Sequence, residues 1–206
     1  MKEIGLIGLG NAGRPIAHRL LQAGFSLKVY DLSEKAVEEA VGKGAVRASS
    51  PGEATTEVTI AVLPSGVEVE NAVLGEKGIL GGIKRGTIFI DLSGTGPGCA
   101  RRVEKQIHQK GGEFIGGTLH AAGAPAVTIP EGLLSIAVGG KTEVIESCRD
   151  VLQAIGQKII CLPEPWMPKT LKIAVMMTSV AATIAAAEVT TWLSGQGLDP
   201  RLFLQL

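Results

Sequence analysis

Aromatic residues make up only 3% of this 206-residue chain, with four Phe, two Trp and one Tyr. A core cannot be built around stacked rings, so Val, Ile, Leu and Ala must fill it, within a hydrophobic content of 45%. Excess charge is also missing: 20 basic and 20 acidic side chains give a formal net charge of zero. Without a basic field, a nucleic-acid backbone is not an expected partner. Cysteine is scarce. Cys99, Cys148 and Cys161 are odd in number and widely spaced, which fits neither a metal site nor a disulfide framework and favours a reducing compartment. The chain enters a strand pattern at its start, so we expect no signal peptide and a cytoplasmic location. Glycine is the residue in surplus, at 28, and many glycines sit between apolar runs.

Those runs alternate with amphipathic stretches. Strands are expected at Glu3–Gly8, Ser26–Tyr30, Val58–Leu63, Thr87–Asp91, Glu113–Gly116, Leu133–Val138 and Gln157–Cys161. Helical patterns cover Asn11–Ala23, Ser33–Val41, Val67–Leu74, Pro97–Lys110 and Lys141–Ala154. Strand–helix alternation predicts an α/β fold, a Rossmann-type doubly wound and mostly parallel sheet with helices on both faces. Gly24 is placed to end the first helix, Asp31 and Ser33 to open the second, and Pro97 to occupy a helix's first turn.

Three prolines between Pro163 and Pro168 interrupt this alternation. Beyond them one helical pattern runs from about Lys169 to Ser194, too long for a crossover helix. We therefore expect a dinucleotide-binding domain over 1–163, then a long interdomain helix and the start of an all-α domain over 164–206. The stretch Ile173–Leu193 is long enough to test against a membrane span. Its Ser and Thr residues, Glu188 and many alanines predict a helix covered by protein instead.

The most informative spacing follows the first strand. Gly8, Gly10 and Gly13 stand in G-x-G-x-x-G order between a buried strand and a helix, with Leu9, Asn11 and Ala12 between them. Gly8 permits a tight turn, Gly10 lets backbone approach a pyrophosphate, and Gly13 lets the helix pack on the sheet with its N–H groups facing the anion. Asp31 ends the second strand at the distance expected for a ribose-binding carboxylate. Such a group would repel a 2′-phosphate, and Leu32 follows it where an Arg would favour one. NAD is the expected cofactor, with NADP the alternative.

The segment from Ile4 to Ala17 resembles the opening of the β-hydroxyacid dehydrogenase superfamily, with Ala12 where Met is usual. That group includes 3-hydroxyisobutyrate dehydrogenases, semialdehyde reductases, 6-phosphogluconate dehydrogenases and, more distantly, imine reductases. Further matches follow in the family's order. Val62, Leu63 and Pro64, then Val69 and Gly75, resemble a Leu-Pro loop that lies against the cofactor in the family. Asp91 to Pro97 resembles a "D-x-S-T-x-x-P" loop near nicotinamide and substrate, which implies a cofactor and substrate role for Ser93. Gly94 replaces the usual Thr, with Thr95 beside it as a substitute. The family's "D-A-P-V-S-G-G" segment is not legible between Gly116 and Pro125, where Thr118 and His120 are the polar candidates for substrate contact. The match resumes at Gly132.

The resemblance implies hydride transfer between a nicotinamide and a small hydroxy acid or its semialdehyde or keto form. Its catalytic lysine falls on Lys172, with Val175 and Met176 where the family has two Asn residues. Lys172 opens an apolar, Ala-rich helix, where an ammonium would be partly desolvated, as a proton-exchanging group needs. Lys169, one turn earlier, is a rival. The long helix is apolar on nearly every face, so we expect either a second copy of the chain to cover it in a homodimer or the chain to be a fragment of a longer protein. An imine reductase-like enzyme and a cofactor-binding module without turnover remain the alternatives.

Overall fold

The computed structural model describes residues 2–121, 129, 131 and 133–205. The Gly- and Ala-rich segment read up to Pro125 thus lies outside the described residues from Ala122 onward, and so does Gly132. The chain divides after Thr170 into two compact units, and each is described by itself.

The first unit opens with β1 (Glu3–Ile7), α1 (Gly13–Gln22), β2 (Ser26–Tyr30), α2 (Glu34–Val41) and β3 (Val46–Arg47). It continues through α3 (Pro51–Ala54), β4 (Val58–Ala61), α4 (Gly66–Leu74), α5 (Ile79–Gly82), β5 (Ile88–Asp91) and α6 (Pro97–Gln109). Then come β6 (Glu113–Ala121), β7 (Leu134–Gly139), α7 (Thr142–Ser147), α8 (Arg149–Ile155) and β8 (Lys158–Leu162). The eight strands form one sheet in the order β3-β2-β1-β4-β5-β6-β7-β8. Neighbours are parallel except β6 and β7, which pair antiparallel. This is the doubly wound Rossmann-type fold, with the chain reversing its direction of growth between β1 and β4.

Strand alternation sends side chains to two cores. On one face Ile4, Leu6, Ile60, Ile90 and Ile115 meet Ile16 and Leu20 of α1 and Val151 and Leu152 of α8. On the other, Ile7, Ala61, Phe89 and Phe114 meet Val69 and Val73 of α4 and Val103 and Ile107 of α6. Burial on both faces is why these strands read as continuous apolar runs.

Local chemistry sets the boundaries. Ser33 caps α2 by accepting from the Ala36 N–H, and Pro97 stands in the first turn of α6. Gly24 adopts φ 85° just past α1, a left-handed conformation that favours glycine. Three expectations need correction, and three short elements were not expected. The Lys141–Ala154 pattern is two helices, because the backbone leaves helical geometry at Cys148 (φ −106°, ψ 8°). The strand expected to stop at Gly116 runs on to Ala121, because β7 pairs with it from Gly116↔Gly139 to Ala121↔Leu134. The long helix α9 (Met167–Gly195) starts two residues before Lys169, with Pro168 tolerated in its first turn. Finally, β3, α3 and α5 escaped the sequence reading, each only two to four residues long.

The second unit is the rest of α9 and a 3₁₀ turn at Pro200–Gln205. Among the described residues, the part of the helix in this unit is largely exposed. Met177 is 68% exposed, and Ile173, Val180, Ile184 and Trp192 are exposed with it. By length and composition alone it could cross a membrane.

Candidate cofactor and active site

The carboxyl ends of β1 and β4 open into a cleft of about 790 Å³. Ligands bind open α/β sheets at this place, where two neighbouring strands send their connections to opposite faces. Gly8, Gly10, Asn11 and Ala12 form one wall. Asp31 and Leu32 form the far side of the β1–β2 edge, and Leu63 and Pro64 come from the end of β4.

The three glycines do three different things. Gly8 takes φ 97°, and a Cβ there would lie 2.3 Å from the Val62 carbonyl oxygen. A Cβ on Gly13 would lie 1.9 Å from the Gly8 carbonyl oxygen, so α1 can begin only where no side chain intervenes. Gly10 is the opposite case: a Cβ there would meet nothing within 4 Å. The fold itself does not demand glycine at this position, and the space it keeps open borders the cleft. Helix α1 has neither a capping side chain nor an acidic residue in its first turn. Its positive dipole end is thus left for an external anion.

Asp31 braces this loop. Its Oδ2 accepts the Leu9 N–H at 2.6 Å and its Oδ1 accepts the Ser33 N–H at 2.7 Å. A carboxylate has about four acceptor positions, so it retains capacity for a ribose diol. Leu32 beside it is 89% exposed. Leu9 is buried in the core and Gly13 is buried under the loop, so both support the cleft without lining it.

The substrate candidates are less assembled. Ser93 is buried, and its Oγ accepts the Leu63 N–H at 2.9 Å, one residue behind the cleft wall. Gly94 is exposed on the same turn. Thr95 is buried and donates to Asp91 Oδ2 at 3.1 Å, so its hydroxyl proton is committed inward. Thr118 and His120 lie along β6 opposite Ala137 and Ser135, the first buried and the second half-buried. Among the described residues, none of Ser93, Gly94, Thr118 and His120 lines the cleft. Lys172 is half-buried in the second unit. Lys169 is 1% exposed and sits against Asp91 in the first.

Several cleft residues were not singled out from sequence. Ser49, Ser50, Asn71 and Lys77 line its outer end, beside Glu68. The Ser65 hydroxyl bonded to Glu68 holds that carboxyl below its usual range. Ser49 and Ser50 precede the short α3 and Lys77 precedes the short α5, neither of which carried a periodic signal, whereas Glu68 and Asn71 lie on the expected helix α4. Among the described residues no group of His, Cys, Asp or Glu could hold a metal ion.

Residues 3–162 match the family model described as the NAD binding domain of 6-phosphogluconate dehydrogenase. The chain is 30% identical to the NAD-dependent L-serine dehydrogenase of Pseudomonas aeruginosa, over all of the chain and 69% of that protein. It is 33% identical to the 3-sulfolactaldehyde reductase of Escherichia coli, over 91% of the chain and 63% of that protein. A Mycobacterium tuberculosis 3-hydroxyisobutyrate dehydrogenase, solved with L-serine, superposes with a TM-score of 0.84 at 26% identity, covering 97% of the chain and 67% of that one. The chain thus spans about two thirds of the length of its relatives. The cleft geometry and the match agree on a nicotinamide dinucleotide as the cofactor, and the chain belongs to the β-hydroxyacid dehydrogenase superfamily, through the NAD-binding-domain family of 6-phosphogluconate dehydrogenase.

Proposed function

We propose that this chain carries the cofactor site and the catalytic lysine of an NAD(P)-dependent dehydrogenase or reductase acting on a small hydroxy acid or its semialdehyde or keto form. The observation that carries the reading is Gly10. A position the fold does not need as glycine is glycine, at the mouth of a helix with no cap of its own. The backbone from Gly8 to Gly13 would hold the pyrophosphate, and Asp31 the adenosine ribose. The bound nicotinamide supplies or accepts hydride. Reduction of a carbonyl leaves charge on its oxygen, and Lys172 protonates that oxygen; in the reverse direction it takes the hydroxyl proton. Asp31 favours NAD, because a carboxylate holding the ribose would repel a 2′-phosphate.

Residues 1–163 are read as the dinucleotide-binding domain and 164–206 as the interdomain helix with the start of an all-α domain. The exposed apolar length of α9 supports a homodimer built on that helix, in a soluble cytoplasmic enzyme. Sedimentation should then give a dimer, and a well-behaved monomer would remove that part of the reading. The activity is tested by mixing the protein with NAD(H) or NADP(H) and a panel of short hydroxy acids, aldehydes, keto acids and imines. Absorbance reports turnover and fluorescence reports cofactor binding. Turnover of a hydroxy acid or its carbonyl form is expected. Turnover confined to imines would point to an imine reductase. Binding without any turnover would favour a cofactor-binding module, a reading supported by Thr118 and His120 not being among the described residues that line the cleft.

A further inference from the structure

Lys169 is one of the least exposed large side chains in the molecule, yet it ends in a charge. It stands in the first turn of α9, in the same compact unit as the sheet. Its Nζ donates to the carbonyl oxygen of Asp91 at 3.0 Å and to that of Ser93 at 2.9 Å. It also lies 2.8 Å from Asp91 Oδ2, with both side chains 1% exposed. An ammonium has three protons, and three protein acceptors take them. Lys169 has no remaining donor for a substrate and no solvent-facing side from which to exchange one. It therefore does not compete with Lys172 as an acid or base.

The contacts continue from Asp91 towards the cleft. Its Oδ1 accepts the Ser93 N–H at 2.9 Å, and Oδ2 also accepts the Thr95 hydroxyl at 3.1 Å. The Ser93 Oγ then accepts the Leu63 N–H at 2.9 Å. Leu63 and Pro64 are part of the cleft wall. An unbroken series of hydrogen bonds, buried up to Ser93 and part-buried at Leu63, thus runs from the start of α9 to the cofactor cleft. A buried ion pair is costly unless every donor and acceptor is satisfied, and apolar residues could fill the same volume. What apolar residues could not do is grip two successive carbonyl groups of a turn, as this ammonium grips those of Asp91 and Ser93.

We propose that Lys169 is a positioning residue for the cofactor cleft: paired with Asp91, it fixes the turn after β5 and, through Ser93, the Leu63–Pro64 wall. The effect on catalysis rests on the function proposed above, whereas the effect on the wall does not. Amide hydrogen exchange and NADH titration of Lys169→Met separate the two. The Leu63 and Ser93 amides should exchange about tenfold faster than in the wild type, beyond any change at Ile60 and Ile90 in the neighbouring strands. The NADH dissociation constant should rise several-fold. If Lys169→Met does not fold, Lys169→Gln retains two N–H donors and should give the same pattern with smaller changes. Equal acceleration at Leu63, Ser93, Ile60 and Ile90 would reduce Lys169 to general stability and overturn the proposal, as would an unchanged NADH affinity in a variant whose wall amides are exposed. A wild-type protein that binds no NAD(H) would instead overturn the proposed function, and the exchange pattern would still decide the role of Lys169 in the wall.

Discussion

The turn after β1 and the turn after β5 leave the same edge of the same sheet, and they are built by opposite means. After β1 the chain removes side chains: Gly8 and Gly13 are glycine because a Cβ would strike backbone 2.3 and 1.9 Å away. After β5 it adds them: Asp91, Ser93, Thr95 and Lys169 are all buried and bonded to one another. The first turn makes room for a ligand, and the second holds a wall still. A loop made of missing side chains shows in the spacing of its glycines, even where the backbone that Gly8 must avoid is Val62 at the end of β4. A loop made of buried charge needs a partner from elsewhere, here 78 residues away from Asp91.

The largest test of this contrast lies outside both turns. On the proposed function the turns bind and position, and Lys172 carries the chemistry. Lys172→Met should lower kcat by about 10²–10⁴-fold, the usual contribution of a general acid or base, while NADH affinity stays near wild type. Steady-state kinetics beside a fluorescence titration reads both. A near-normal kcat would remove Lys172 from the mechanism.

Next in size is a split among the glycines. Gly13→Ala sets a methyl 1.9 Å from a backbone oxygen that cannot move without the helix. It should cost about 3 kcal/mol or more, a fall of roughly 6–12 °C in Tm for a domain of this length. Gly10→Ala meets no protein atom within 4 Å. Its Tm should hold, while the NADH dissociation constant rises by about tenfold or more as the methyl takes up space a pyrophosphate needs. A Gly10→Ala protein with normal affinity would break the claim that this position serves the ligand rather than the fold.

Asp31 belongs to both kinds of construction, as a side chain that braces a loop made of glycines. Asp31→Ser should reduce the preference for NAD over NADP in kcat/KM by about tenfold or more, the size of one or two charge-assisted hydrogen bonds. NAD affinity should fall as well, because Leu9 N–H loses its acceptor. An unchanged ratio would mean that Leu32 and its surroundings, not the carboxylate, set the choice.

The same contrast explains what the sequence disclosed. The β1 cradle, Asp31 and the strand–helix alternation were legible because each depends on spacing within one or two elements. Ser33 and Pro97 could be placed because caps act over three or four residues. The extension of β6 through Gly117, Thr118 and His120 was not legible, because Gly116 and Gly117 weaken any strand pattern there and the extension follows its pairing with β7. The ion pair of Lys169 and Asp91 was also hidden, although one signal was present. Asp91 closes the strand Ile-Phe-Ile-Asp, and a carboxylate at the end of a buried strand requires a partner. Lys169, just past the prolines, was the cation whose use remained open.

Cys99 gives the smallest and most local test of the β5 turn. Its thiol sits in the first turn of α6 and approaches the Gly66 carbonyl oxygen at 3.7 Å. Burial, with the nearby Asp91 carboxylate adding to it, pushes the thiol up from 9.0 to about 11. A thiol held neutral in this way contributes stability that is fully present below the unfolded value near pH 9 and is lost as pH rises through about 11. Tm should decline over that alkaline window in the wild type and less so in Cys99→Ala. Alkylation of Cys99 at pH 8 should be slow beside that of Cys161, which is exposed. Rapid modification of Cys99 at pH 8 would mean that the turn opens often enough to admit reagent, and that the buried bonds around Asp91 hold it less firmly than their geometry requires.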